Sequence, residues 1–209
     1  MLKVKICGIT NLEDALLAEK LETDMIGFIF YRKSPRYLSS VKAERIIAAL
    51  SPLTRKVGVF VNEPAEKLLR TAGRLKLDFV QLAGDENNAY VKKIQKQIPV
   101  IKAFRVGEDF QLPLLQKSPA ALNLADTRAD GLYGGSGKSF DWQKLTSLKG
   151  DERLILAGGI GAENLREAYE ILQPVAVDLT SSVEARPGKK DAVKLKQFFE
   201  VANEIRFGR

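Results

Sequence analysis

Eight short runs of Val, Ile, Leu and Phe recur along the chain, and their spacing constrains the fold more than any other feature. They are Val4–Ile6, Met25–Phe30, Val57–Val61, Phe79–Leu82, Val100–Phe104, Ala121–Ala125, Leu154–Ala157 and Val175–Leu179, each the length of a buried strand. Between them the apolar residues move to helical spacing, as in Leu12, Leu16, Ala18 and Leu21, in Val41, Ile46, Ile47 and Leu50, and in Leu165, Ala168, Tyr169 and Leu172. Asn11 is placed to cap one helix, and Pro64 stands at the start of another, where a missing backbone donor costs nothing. Most strand starts lie about 21 to 23 residues apart, the length of one economical βα unit. Eight such units in 209 residues predict an α/β fold, a single-domain (β/α)8 barrel over residues 1–209. An open doubly wound sheet is the alternative, and it rarely needs eight similar units.

The gaps after the second and sixth runs are longer by about ten residues, which means longer βα loops. In a barrel these stand at the C-terminal mouth, where catalysis occurs. The two loops, Tyr31–Ser40 and Thr127–Asp141, contain Arg36 and the glycine-rich segment Gly134-Gly135-Ser136-Gly137. That segment lacks the strand-then-helix setting and the Lys-Ser/Thr ending of a nucleotide P-loop, so it reads as a lid, with Gly135, Ser136 and Gly137 at its centre.

The chain has no histidine and one cysteine, which excludes histidine relays, histidine-rich metal sites, thiolate metal clusters and internal disulfides. Proton transfer falls to Cys, Asp, Glu, Lys or Tyr. The formal charge of +7 is spread along the chain and interleaved with Glu and Asp, which reads as a solvated basic surface that favours an anionic small molecule, with no nucleic-acid partner. No signal peptide is evident, and no apolar stretch approaches the ~20 residues of a membrane helix. The expected location is the cytoplasm, with no membrane partner and a monomeric or homodimeric state.

Alternation along the first strand puts Lys5 and Cys7 on one face and Val4 and Ile6 on the other. With the apolar pair against the helices, Lys5 and Cys7 point into the barrel, where an ammonium lowers a thiol pKa and makes a general base. A free cysteine also serves as a small buried hydrophobe. Asp126 ends the sixth strand on the face of Leu124, where burial raises a carboxyl pKa and suits it to donate a proton. Asp178 ends the eighth strand comparably, inward if Ala176 is inward; a carboxylate at a strand end is also a common cap. Ala157-Gly158-Gly159-Ile160 exposes backbone N–H groups after the seventh strand, and Thr180-Ser181-Ser182 adds donors after the eighth, the place where barrels bind phosphate. Arg36, stiffened by Pro35, is suited to grip a carboxylate. Lys102 on the fifth strand, if it lines the interior, raises a Schiff-base alternative, as does Lys5.

These motifs together resemble the phosphoribosylanthranilate isomerases of tryptophan biosynthesis, over essentially the whole length. The segments that carry the likeness are Lys5-Ile6-Cys7-Gly8-Ile9-Thr10, Gly27-Phe28-Ile29-Phe30 with Ser34-Pro35-Arg36, Gly58-Val59-Phe60-Val61-Asn62, Gln81-Leu82, Gly134-Gly135-Ser136-Gly137 with Phe140-Asp141-Trp142, Ala157-Gly158-Gly159, and Val183-Glu184 with Pro187-Gly188-Lys189-Lys190-Asp191. The resemblance implies an Amadori rearrangement without metal or organic cofactor. It implies Asp126 as acid, Cys7 as base, Arg36 on the substrate carboxylate, Gly158, Gly159, Ser181 and Ser182 on the phosphate, and Asp178 as a neighbour. Two positions depart from the family pattern. Ala83 stands where histidine is common, which leaves room at the mouth if Gln81 and Ala83 face inward. Ser182 stands where glycine is usual, which strains the backbone if that position needs a positive φ. A barrel that binds phosphate without turnover is the reading these departures would favour.

Overall fold

The computed structural model describes residues 1–127 and 141–208. Its strands are β1 (Lys3–Cys7), β2 (Met25–Ile29), β3 (Arg55–Phe60), β4 (Phe79–Leu82), β5 (Val100–Val106), β6 (Leu122–Thr127), β7 (Leu154–Leu156) and β8 (Ala176–Leu179), each within a few residues of an apolar run. They pair in parallel in chain order, and β1 closes on β8 with Lys5 opposite Asp178. The helices between them are α1 (Leu12–Lys20), α2 (Ser40–Ile47), α3 (Ala65–Arg74), α4 (Asn88–Gln95), α5 (Leu112–Gln116) and α6 (Leu165–Leu172), while a 3₁₀ helix, Trp142–Leu148, stands between β6 and β7. The structure is the expected (β/α)8 barrel.

Strands buried on both faces need apolar residues at every position, which is why the runs are nearly continuous. Outward residues such as Val4, Ile6, Phe28, Val80 and Val177 join the helices in one large core. Inward residues Met25, Val57, Ile101, Leu124, Ile155 and Ala176 plug the barrel as a second cluster. This apolar plug raises the polar inward residues to the C-terminal mouth.

Two local readings need correction. Leu12 and Leu16 of α1 are exposed, and the inward face of that helix is Asp14, Ala15 and Ala18; Asp14 takes this place because it accepts the Lys190 N–H at 2.7 Å and the Lys189 ammonium at 2.7 Å. Val41 is likewise exposed, and α2 packs through Ala43 and Ile46. After β8 a short hairpin, β9 (Glu184–Arg186) and β10 (Lys189–Lys190), precedes the last helix, α7 (Ala192–Phe207). Among the described residues no helix is long and apolar enough to cross a membrane.

Candidate active site

Lys5 and Cys7 point inward, and so does Asp178, two places after the inward Ala176. Lys5 is fully buried, and its Nζ donates to Asp178 Oδ2 at 2.9 Å. Burial lowers the Lys5 pKa, but Asp178 and the Cys7 sulfur outweigh it and hold the ammonium above its ordinary value. Burial raises Asp178 against the pull of Lys5 and Lys190. The shift of Lys5 favours an ion pair and that of Asp178 a neutral acid; the short N–O contact, with Lys190 as a second cation nearby, decides for the ion pair at neutral pH. Burial also pushes the Cys7 thiol up, with Lys5 the strongest opposing influence. The depressed thiol expected from the sequence is therefore not found, because loss of water outweighs the ammonium. Gly27 makes room for the pair: a methyl there would lie 2.7 Å from Cys7 Sγ and 3.2 Å from Lys5 Nζ.

Above this pair a cavity of about 580 Å³ opens at the mouth, lined by Cys7, Arg36, Gln81, Ala83, Asp126 and Asp178 among others. The strand-six and strand-eight carboxylates and the strand-one thiol thus meet in one space. Arg36 reaches it because the loop after β2 folds back on itself: Tyr37 N–H donates to Ser34 O at 3.1 Å, Leu38 N–H to Ile29 O at 2.9 Å, and Arg36 N–H to Ser34 Oγ at 3.1 Å. The buried guanidinium is held by Glu184 of β9, with Nη2 at 2.7 Å from Oε2. Gln81 and Ala83 face inward as the alternation requires and both line the cavity, and Gln81 Oε1 is buried without a hydrogen-bond partner among the described residues.

Lys102 does not line the interior. The inward residues of β5 are Ile101, Ala103 and Arg105, so Lys102 faces outward, donating to Gly84 O at 2.7 Å and pairing with Glu86 at 2.8 Å. Val100 and Phe104 on one face and Ile101 and Ala103 on the other are all apolar, so the sequence hides which face turns inward. Arg105, which lines the cavity and pairs with Asp85 at 2.7 Å, is the residue that the same alternation, counted from Ile101, would have found.

A small pocket adjoins the cavity and shares Asp126, Asp178 and Thr180 with it. Its other walls are Ala157, Gly158, Gly159, Ile160, Ser181 and Ser182. Gly158 and Gly159 have φ of 79° and 70°, a region closed to most side chains and the reason for two glycines here. Asn164 braces the turn, accepting from Gly161 N–H at 2.9 Å and donating to Gly159 O at 2.8 Å. Ser182 is absent from the positive-φ residues, so serine is unstrained there. Gly135, Ser136 and Gly137 lie outside the described residues.

A closed parallel barrel with a thiol, two carboxylates and a glycine turn gathered at its C-terminal mouth defines the class: a (β/α)8-barrel enzyme. A family model described as N-(5'-phosphoribosyl)anthranilate (PRA) isomerase matches residues 4–201. The N-(5'-phosphoribosyl)anthranilate isomerase of Thermotoga maritima is 45% identical over 206 residues, covering 98% of this chain and all of that one. A crystal structure of the Thermotoga maritima phosphoribosyl anthranilate isomerase superposes with a TM-score of 0.90 at 44% identity, over 97% of this chain and 99% of that one. A phosphoribosyl anthranilate isomerase in complex with reduced 1-(o-carboxyphenylamino)-1-deoxyribulose 5-phosphate superposes at 0.87 with 42% identity, over the same shares. The chain belongs to the N-(5'-phosphoribosyl)anthranilate isomerase family.

Proposed function

We propose that this chain, as one catalytic domain, rearranges N-(5'-phosphoribosyl)anthranilate to 1-(2-carboxyphenylamino)-1-deoxyribulose 5-phosphate, a step of tryptophan biosynthesis. The observation that carries the reading is the meeting of Cys7, Asp126 and Arg36 on one cavity that continues into the Gly158–Ser182 pocket. One end suits a carboxylate and the other a phosphate. Asp126, which borders both spaces, protonates the ribose ring oxygen; the C1'–O bond breaks as the nitrogen lone pair forms a protonated Schiff base. The Cys7 thiolate removes the C2' proton, the electron pair moves to C1'–C2', and the iminium becomes an enolamine. Tautomerisation places a proton on C1' and leaves a ketone at C2'. The oxidation level that C1' loses is gained by C2', so the step balances without an external oxidant.

Lys5 serves this scheme by favouring the thiolate, and Asp178 by holding Lys5 in place. Gly158, Gly159, Ser181 and Ser182 supply donors to the phosphate. The test is conversion of freshly generated phosphoribosylanthranilate by the purified protein, followed by loss of anthranilate-type fluorescence, beside Cys7→Ser and Asp126→Asn. Both variants are expected to lose turnover by about 10²-fold or more with the fold intact. Near-wild-type turnover in either would defeat the mechanism, and a folded wild type without turnover would leave a phosphate-binding barrel.

A further inference from the structure

The β9–β10 hairpin borders the cavity at Pro187 and reaches Arg36 through the Glu184 carboxylate. Glu184 accepts three hydrogen bonds from Arg36, from Nε to Oε1 at 2.9 Å and to Oε2 at 3.0 Å, and from Nη2 to Oε2 at 2.7 Å. Its Oε1 also accepts from Gly188 N–H at 3.2 Å and from the Lys190 ammonium at 3.3 Å. Lys190 donates further to Thr180 O at 3.0 Å, while Asp14 of α1 anchors the hairpin through the Lys190 N–H. Arg36, Glu184 and Lys190 are all buried. Two cations on one carboxylate leave one positive charge uncompensated in a wall shielded from water, which is costly until an anion completes it. Burial and the Arg36 charge lower the Lys190 pKa against Glu184 and Cys7; the Glu184 carboxylate and the Thr180 carbonyl to which its Nζ donates decide for the ammonium at neutral pH. Arg36 borders the cavity and Glu184 does not. Arg36 Nη1 makes no hydrogen bond to any described residue.

We propose that Glu184 and Lys190 are positioning residues for carboxylate recognition: Glu184 holds the Nε–Nη2 edge of Arg36 so that Nη1 serves the substrate carboxylate, and Lys190 supplies the charge that Glu184 would otherwise cancel. The hairpin thereby selects a carboxylated aryl amine over its neutral counterpart. This rests on the reading that Arg36 holds that carboxylate.

Calorimetric titration with reduced 1-(o-carboxyphenylamino)-1-deoxyribulose 5-phosphate, and with the same compound lacking the carboxyl group, tests it. Glu184→Gln and Lys190→Met are each expected to weaken the carboxylated ligand by about tenfold or more and the other by less than about twofold, with Glu184→Asp intermediate. Adding Glu184→Gln to Arg36→Ala is expected to change nothing further. Equal weakening of both ligands, or a Glu184→Gln loss that persists beside Arg36→Ala, would overturn the proposal in favour of a structural role. If Arg36→Ala separates the two ligands and the hairpin variants do not, the positioning role alone falls. If Arg36→Ala fails to separate them, the carboxylate reading falls and takes the proposal with it. Should Glu184→Gln not fold, Glu184→Asp and Lys190→Met make the same comparison.

Discussion

Two buried lysines on strands of the same barrel, Lys5 of β1 and Lys102 of β5, have opposite fates. Both are paired with a carboxylate, Lys5 with Asp178 at 2.9 Å and Lys102 with Glu86 at 2.8 Å. Lys5 points into the barrel, where its ammonium acts on Cys7 at the floor of the cavity. Lys102 points out and staples the loop after β4, donating to Gly84 O while Glu86 in turn accepts the Asn62 N–H. A buried ammonium is therefore no mark of chemistry by itself. The parity of its position along the strand decides whether it faces the barrel interior or the supporting loops.

Replacing each lysine is the sharpest way to break this contrast. Lys5→Met is expected to lower kcat/KM by about 10 to 100-fold and to move its rise with pH further to the alkaline side, because the thiolate loses its strongest favouring charge. In the wild type this rise is expected on the alkaline side of the ordinary thiol value, since burial holds the Cys7 thiol up. A pH profile unmoved by Lys5→Met would make Lys5 as structural as Lys102. Lys102→Met is expected to leave kcat/KM within about threefold while costing about 3 kcal/mol in chemical denaturation, the penalty of a buried carboxylate left without its partner. A borohydride-trapped adduct on Lys102 would instead revive the Schiff-base reading.

A smaller effect is expected at Asp14, which ties the hairpin side of the mouth to α1. Burial raises this carboxyl, but Lys189 and the Lys190 N–H prevail and hold it below the usual carboxylate range. Asp14→Asn is expected to cost about 2 kcal/mol at neutral pH. The carboxylate's contribution is complete above its unfolded pKa of about 3.9 and is lost as pH falls through the lower folded value, so the gap between the two proteins should close in strong acid. Urea titrations at several pH values measure it. A gap that widens in acid would contradict the assigned ion pair.

The smallest expected effect is on the far wall of the cavity. Ala83→His adds a hydrogen-bonding group to the cavity that Gln81 also lines, and is expected to lower KM by up to about fivefold, the worth of one neutral hydrogen bond, with kcat unchanged. Steady-state kinetics decide it, and a fall in kcat would show that the open space at Ala83 is used by the substrate.

Much of this was legible along the chain. Period-two alternation and βα spacing are local properties, so the eight strands, the inward pairing of Lys5 with Cys7 and the mouth position of Asp126 could be read without tertiary knowledge. The exposed stripe on α1 could not, because Leu12 and Leu16 are spaced as a core face and only the hairpin's need for Asp14 turns that face outward. The phase of β5 was also hidden, since each face carries one cation among apolar residues, Lys102 on one and Arg105 on the other.

The sequence by itself determined the barrel, its family and the residues offered to the site, because each rests on neighbours in the chain. Only the tertiary structure decided their states. Lys5 meets Asp178 across 173 residues and Arg36 meets Glu184 across 148. Electrostatic interactions depend on distance in space and on exclusion of water. Barrel closure sets both, and with them which cation lies beside the thiol and which edge of Arg36 Glu184 takes.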